Sequence, residues 1–314
     1  MLPGSNYVSF IRRALEKAGL PQIPVISLNF IGMETNAGFQ PSLAMVADAG
    51  KALVLGDLLM KCLYRVRPYE QETGAANALC LRWQERIIRK ALGGESREGS
   101  AALCRSLVQE FDMLPLRADE RKPRVGIVGE ILVKYMPLAN NHLVDVLEGE
   151  GAEAVVPDLM DFVHYMLYNQ QYKTEYLGAK WTGKYTSALG NPGLRLFQKP
   201  AADALKASAR FTPPMAIEHI AELAKPFLSI GNQYGEGWFL CGEMAELLES
   251  GVNNIVCIQP FGCLPNHVVG KGVIKQMKKA YPQANIAAID YDPGASEVNQ
   301  LNRIKLMMTQ ARMK

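Results

Sequence analysis

The stretch Asn254–Met308 reads NIVCIQPFGCLPNHVVGKGVIKQMKKAYPQANIAAIDYDPGASEVNQLNRIKLMM. Two short apolar runs within it, Asn254–Gln259 and Asn285–Asp290, have the length and composition of buried strands. Val268–Ala280 between them reads as a helix, with Lys271, Lys275, Lys278 and Lys279 on a solvated face. Strands alternating with helices imply parallel pairing through right-handed crossovers. Each strand runs into a loop of distinctive chemistry. The first, Gln259–His267, sets Cys263 directly after Gly262 and two residues before Pro265. The second, Asp290–Gly294, presents Asp290 and Asp292. In a parallel sheet both loops lie at the carboxyl edge, where such folds bind ligands.

The alternation extends toward the N-terminus. Arg124–Glu130, Ala152–Val156 and Phe227–Ile230 read as further strands, and Asn141–Glu148, Leu159–Tyr168, Met215–Lys225 and Phe239–Ser250 as helices. The segment Asn169–Pro214 is less regular and rich in aromatics and lysines, among them Tyr172, Lys173, Tyr176, Lys180, Trp181, Lys184 and Tyr185. The last helix is expected to open on Asp292 as N-cap with Pro293 at its first position, and to carry the stripe Val298, Leu301, Ile304 and Met308. The expectation is an α/β protein. Residues 121–314 form a parallel flavodoxin-like (Rossmann-like) domain whose first strand is central. Residues 1–120 form a smaller, helix-rich partial α/β domain. It holds helix Tyr7–Lys17, one clear strand at Ile23–Phe30, a long helix over Leu43–Val66 and two amphipathic helices. Those two present Ala76, Leu79, Trp83 and Ile87, and Leu103, Leu107 and Phe111, on either side of Gly93-Gly94. With only one strand, this domain is helical or truncated at its front. Ala118–Pro123, charged and ending in proline, marks the boundary.

Composition narrows the classes. Of 314 residues, 48% are hydrophobic and 21% charged, enough apolar material for two packed domains. A net charge of +3 is too small to imply nucleic-acid binding. No uncharged apolar run reaches about 18 residues, so no membrane span is expected. The first residues lack the charged-then-apolar order of a signal peptide. Expected partners therefore include neither nucleic acid nor membrane. The six cysteines form no CxxC and no disulfide framework, which places the chain in a reducing cytoplasm.

Four loops are expected to converge at the carboxyl edge, facing the first domain: Gly129-Glu130, Gly231–Gly237 (GNQYGEG), Gln259–His267 and Asp290–Gly294. They supply Glu130, Asn232, Gln233, Glu236, Gly262, Asn266 and Asp292 as ligand-binding candidates and Cys263 as the metal-ligand candidate. Blander readings stand beside these. A loop thiol is as often inert, Asp292 caps a helix while Asp290 bonds loop amides, and Gly235 and Gly237 close a tight turn instead of cradling an anion. Cys257 in a strand, and Cys62, Cys80, Cys104 and Cys241 on helices, read as core. GIVGE lacks the GxGxxG fingerprint of a dinucleotide site. No catalytic residue is assigned.

Six stretches carry a resemblance: IPVISLNF, RPYE (Arg67–Glu70), VGIVGEILVKYMPLANNHL, GEGWFLCGEM, QPFGCLPNH and IDYDPGASEVNQLNRIKLMM. Through them the chain resembles the C-terminal dehydratase-like part of CoA-substrate-specific enzyme activases, within the 2-hydroxyacyl-CoA dehydratase and benzoyl-CoA reductase component superfamily. The resemblance implies flavodoxin-type α/β domains and an iron–sulfur (4Fe-4S) cluster held by cysteines near the domain cleft. It also implies an actin-like ATPase activase as partner, and electron transfer for radical chemistry on acyl-CoA substrates in anaerobic metabolism. This sequence departs from the pattern. It shows no phosphate-binding glycine loops of an actin-like module, and only MLPGS stands where relatives carry a cysteine-containing stretch. Cys263 alone has an obvious counterpart among the cluster ligands, whereas a cubane cluster takes about four. The ATPase module is then a separate chain or a missing part of the gene. Two functions follow. One is a dehydratase-like module that supports iron–sulfur electron transfer in the full assembly, with the isolated chain inactive and its cluster absent or incomplete. The other is a catalytically silent binding module that docks the activase or holds an acyl-CoA or nucleotide. A weaker third is a flavodoxin-like enzyme using the Asp290/Asp292 loop.

Overall fold

The computed structural model describes residues 7–25, 42–91, 99–118, 121–292 and 294–313. Most of the expected strand Ile23–Phe30, the Gly93-Gly94 break, Pro293 and part of the Ala118–Pro123 boundary lie outside the described residues. Contacts divide the chain into two units, Met1–Gly50 and Lys51–Lys314. The first contains α1 (Tyr7–Lys17), and α2 (Leu43–Val66) spans the division; both helices have the expected bounds.

In the second unit α3 (Ala75–Ala91) and α4 (Ser100–Asp112) follow α2. The alternating part then begins with β1 (Arg124–Gly129), α5 (Ile131–Tyr135), α6 (Leu143–Gly149), β2 (Glu153–Val155), α7 (Leu159–Tyr176), α8 (Thr182–Lys206) and α9 (Ile217–Ala224). It ends with α10 (Trp238–Glu249), β3 (Asn254–Gln259), α11 (Gly272–Ala280), β4 (Asn285–Asp290) and α12 (Glu297–Arg312). The four strands form one sheet in the order β2-β1-β3-β4, and every pairing is parallel. The first strand lies inside the sheet, as expected.

Both faces of the sheet are covered, which explains why the strands are apolar throughout rather than alternating. Val128, Ile255, Cys257, Ile286 and Ala288 point into one core with α9, α10 and α11. Val125, Ile127, Ala154, Val256, Ile258 and Ile289 point into the other, with α6 and α12. Consecutive residues of β3 thus serve opposite cores, as the two-residue period of a strand requires. A third core joins α2, α3 and α4 to α7 and α8 through Trp83, Leu107, Phe111, Met160 and Leu205.

Three expectations are corrected. Phe227–Ile230 is not a strand. The amides of Phe227 and Leu228 bond back to Ala224 O at 3.0 and 3.2 Å, so the apolar run winds off the end of α9 and packs onto the core as a turn. Asn169–Pro214 is mostly helical despite Pro192 and Pro200 inside α8. His164 on α7 lies 2.9 Å from Asn191 Oδ1 and 2.6 Å from Gln198 Oε1, and Ala201, Ala204 and Leu205 are buried. Tertiary packing here overrides the local helix-breaking signal. Finally, α12 opens on Ser296, whose hydroxyl accepts from Asn299 N at 3.4 Å, and not on Asp292.

One glycine is required by the pairing of β1 with β3. Gly129 has φ of +144°, and a Cβ built there would sit 1.8 Å from Ile258 O. Gly129→Ala should cost ~4 kcal/mol or prevent folding, because the backbone of two paired strands must separate. Gly56→Ala, inside α2 with nothing within 4 Å, should stabilise by ~0.5–1 kcal/mol. Denaturant midpoints of the two variants check the contrast.

Candidate functional site

The loop after β1 places Glu130 as N-cap of α5. Its Oε2 accepts from Val133 N at 2.8 Å, and its own amide donates to Ile258 O at 3.0 Å. Next along the chain, Ile131 N donates to Glu236 Oε1 at 3.1 Å. Glu236 Oε2 accepts from Asn266 Nδ2 at 3.3 Å, and the same amide reaches Cys263 Sγ at 3.1 Å. Glu236 and Asn266 are buried, and Cys263 is half-buried. Burial pushes Glu236 above the usual carboxylate range, and the charge of Glu130 adds to the effect. Glu236, Asn266 and Cys263 are therefore one hydrogen-bonded cluster, joined to the Glu130 loop through the amide of Ile131.

The other candidates sit around it. Gly262, with φ of +74°, turns the chain into Cys263. The segment 231–237 is a tight turn: Trp238 N donates to Asn232 O at 2.6 Å, and Tyr165 Oη donates to the carbonyls of Gln233 and Gly235 at 3.1 and 3.0 Å. It leads directly into α10 and does not end a strand, yet Glu236 carries it to the carboxyl edge. Asp292 is engaged locally, accepting from Gly294 N at 2.9 Å. Asp290 accepts from Gln259 Nε2 at 2.7 Å and from Lys271 Nζ at 2.9 Å. Burial works against its ionisation, but Lys271 and Gln259 hold it below the usual carboxylate range.

The structure extends this edge with groups that sequence reasoning missed. Lys134 on α5 meets Glu243 on α10 at 2.6 Å, with side chains 3% and 1% exposed. At the end of β2, Asp158 pairs with Lys61 at 2.8 Å, and Asp57 accepts from Leu159 N and Met160 N at 3.0 and 2.9 Å, capping α7 from another helix. Asp57 is pushed up to about 7 by burial and by the charge of Asp158. Glu246 rises to about 7 through burial and Glu243, and Asp161 is well above its ordinary value through burial and Asp158. These carboxylates share protons because the two lysines cannot neutralise them all. A cleft lined by Asp57, Lys61, Asp158, Gln198 and Leu205 adjoins them. The available signal was charge inside apolar helix faces, Asp57 and Lys61 in VLGDLLMK and Glu243 and Glu246 in CGEMAELL.

Among the described residues no group of three or more His, Cys, Asp and Glu side chains is disposed to hold a metal ion. The five other cysteines are buried; Cys257 packs against α10 and the segment at Gly270. These residues do not make a cubane cage around Cys263. That thiol offers one ligand, oriented by Asn266. Asn266 Oδ1, Gln259 Oε1 and both amide atoms of Gln233 are buried without hydrogen-bond partners among the described residues. No protein-family model, no curated protein and no solved structure matches the chain.

The proton-sharing carboxylates make stability depend on pH. Asp57 and Glu246 keep protons in the folded chain that ordinary carboxyls release near pH ~4. Their contribution is fully present below that pH and is lost as pH rises through about 7, at ~1.4 kcal/mol per unit of pKa difference. Denaturant midpoints should therefore fall between about pH 4 and about pH 7. Asp57→Asn retains an oxygen for the α7 cap and should flatten that fall; an unchanged slope would remove Asp57 as its source.

Proposed function

We propose that this chain is a binding and interaction module of a 2-hydroxyacyl-CoA dehydratase activase-type system, working in the cytoplasm with an actin-like ATPase as partner. It takes an acyl-CoA or nucleotide at the carboxyl edge of a flavodoxin-like sheet. The strand order β2-β1-β3-β4 supports the flavodoxin-like reading. The system itself rests on the resemblance in the residues alone. The observation that carries binding is the set of orphaned amide atoms on Gln233, Gln259 and Asn266 in and beside the Glu236–Asn266–Cys263 cluster. Buried polar groups are ordinarily satisfied, and a ligand with both donors and acceptors would satisfy these. Pantetheine amides and nucleobase edges both have that character.

A second reading is favoured by Cys263 being the one cysteine that is not fully buried. In it, Cys263 gives one thiolate to an iron–sulfur cluster whose remaining ligands come from elsewhere in the assembly. The cluster would supply low-potential electrons there, and Asn266 would orient the thiolate.

Calorimetric titration of the chain with a CoA thioester and with ATP tests the first reading. Binding should weaken roughly ten-fold in Gln233→Ala, equivalent to ~1.4 kcal/mol, with the fold unchanged because that side chain bonds nothing else among the described residues. No heat with either ligand at millimolar concentration would reject it. Anaerobically prepared protein carrying stoichiometric iron that Cys263→Ala abolishes would favour the second.

A further inference from the structure

The antiparallel pair α7 and α8 ends in a tip whose residues Glu175 through Thr182 are all exposed. The tip is a built turn. Ala179 N donates to Lys173 O at 3.1 Å, and Thr174 Oγ1 donates to Gln170 O at 2.9 Å. Yet its large side chains face outward: Tyr176, Leu177, Trp181, Tyr185 and Leu189 are 59–73% exposed. Trp181 lies edge-on to Tyr185 at 5.5 Å. Trp181, Tyr185 and Leu189 recur every fourth residue, so they form one stripe along α8 that continues at Leu196. Grouped apolar exposure of this kind marks an interaction surface.

Charge selects the occupant. Lys173 and Lys180 flank the tip, and among the described residues neither forms an ion pair. Farther along α8 stand Arg195 and Lys199, paired with Glu218 and Asp203. A convex tip with aromatic side chains and lysines suits an anionic lipid surface. Trp and Tyr rest at headgroup depth, Leu177 enters the acyl boundary, and lysine stems lie along the apolar surface with their charges outward.

We propose that the α7–α8 tip seats on an anionic lipid bilayer. This revises the expectation of no membrane partner. No described helix is long and apolar enough to cross a membrane, and a surface contact needs none.

Tryptophan fluorescence gives the test. Trp83 and Trp238 are 2% and 0% exposed and Trp181 is 71% exposed, so changes in emission on binding report the tip. The full chain is mixed with phosphatidylcholine vesicles with and without about 30% phosphatidylserine, containing brominated acyl chains. Quenching and co-sedimentation should appear with the anionic vesicles, and the affinity should fall at least ten-fold from about 0.05 to about 0.5 M salt. Lys180→Glu and Leu177→Glu should each weaken it roughly ten-fold or more at unchanged circular dichroism. Absence of binding to anionic vesicles at low salt overturns the proposal, as does equal binding by the well-folded Leu177→Glu variant. Concentration-dependent shielding of Trp181 without vesicles would assign the tip to self-association and overturn it too.

Discussion

The burial of Lys134 against Glu243 is the constraint on which the carboxyl edge of the sheet depends. Taking two charges out of water costs several kcal/mol per ion, recovered only when the geometry is held closely. Here it is held from both sides. Lys134 stands in the short helix that follows β1, and Glu243 projects from α10, which packs on the β1 face of the sheet. Burial raises Glu243 above the usual carboxylate range, and Lys134 pulls it back. Once this pair is fixed, the start of α5 is fixed, and Ile131 N is aimed at Glu236. Glu236 then orients Asn266, and Asn266 orients Cys263.

The pair also divides the edge into two chemistries. On the β2 side, Asp57, Asp161 and Glu246 crowd around the Lys61–Asp158 pair, and burial together with neighbouring carboxylates raises all three above the usual carboxylate range. On the β3 and β4 side, carboxylates are individually bonded, Asp290 to Lys271 and Glu236 to amides, and the orphaned groups are neutral amides. The first half joins helices α2, α7 and α10 into one layer whose cohesion varies with pH. The second half holds uncharged amide donors and acceptors, buried close to the half-buried Cys263 thiol.

The strands β3 and β4 and the helices α1 and α2 were legible in sequence to the residue, because their apolar periods are long relative to the flanking polar segments. Convergence of the Gly129 and Cys263 loops was legible once parallel pairing was inferred, since β1 and β3 are adjacent; the Glu236 loop was expected there for a reason that failed, because it follows a turn off α9 and not a strand. Phe227–Ile230 failed because four apolar residues do not distinguish a strand from a helix-terminal turn. The α8 segment failed because Pro192 and Pro200 signal a break locally, while His164 and the buried face of α8 act over longer range. Asp292 yielded the N-cap to Ser296, which sits where the helix starts. The carboxylate–lysine layer was missed because Asp57, Lys61, Glu243 and Glu246 look like ordinary helix-surface residues until their neighbours on all sides are seen to be apolar.

A double-mutant cycle on Lys134 and Glu243 tests the central claim most directly, using Lys134→Met, Glu243→Gln and the pair together, read by denaturant unfolding. Each single change should cost ~3–5 kcal/mol, because a charge or polar group is left buried alone. The double variant should cost far less than their sum, and the Gly129, Glu236 and Cys263 loops should stay protected from hydrogen exchange in it. Additive losses, or single variants as stable as the parent, would show that the carboxyl edge is not organised by this pair.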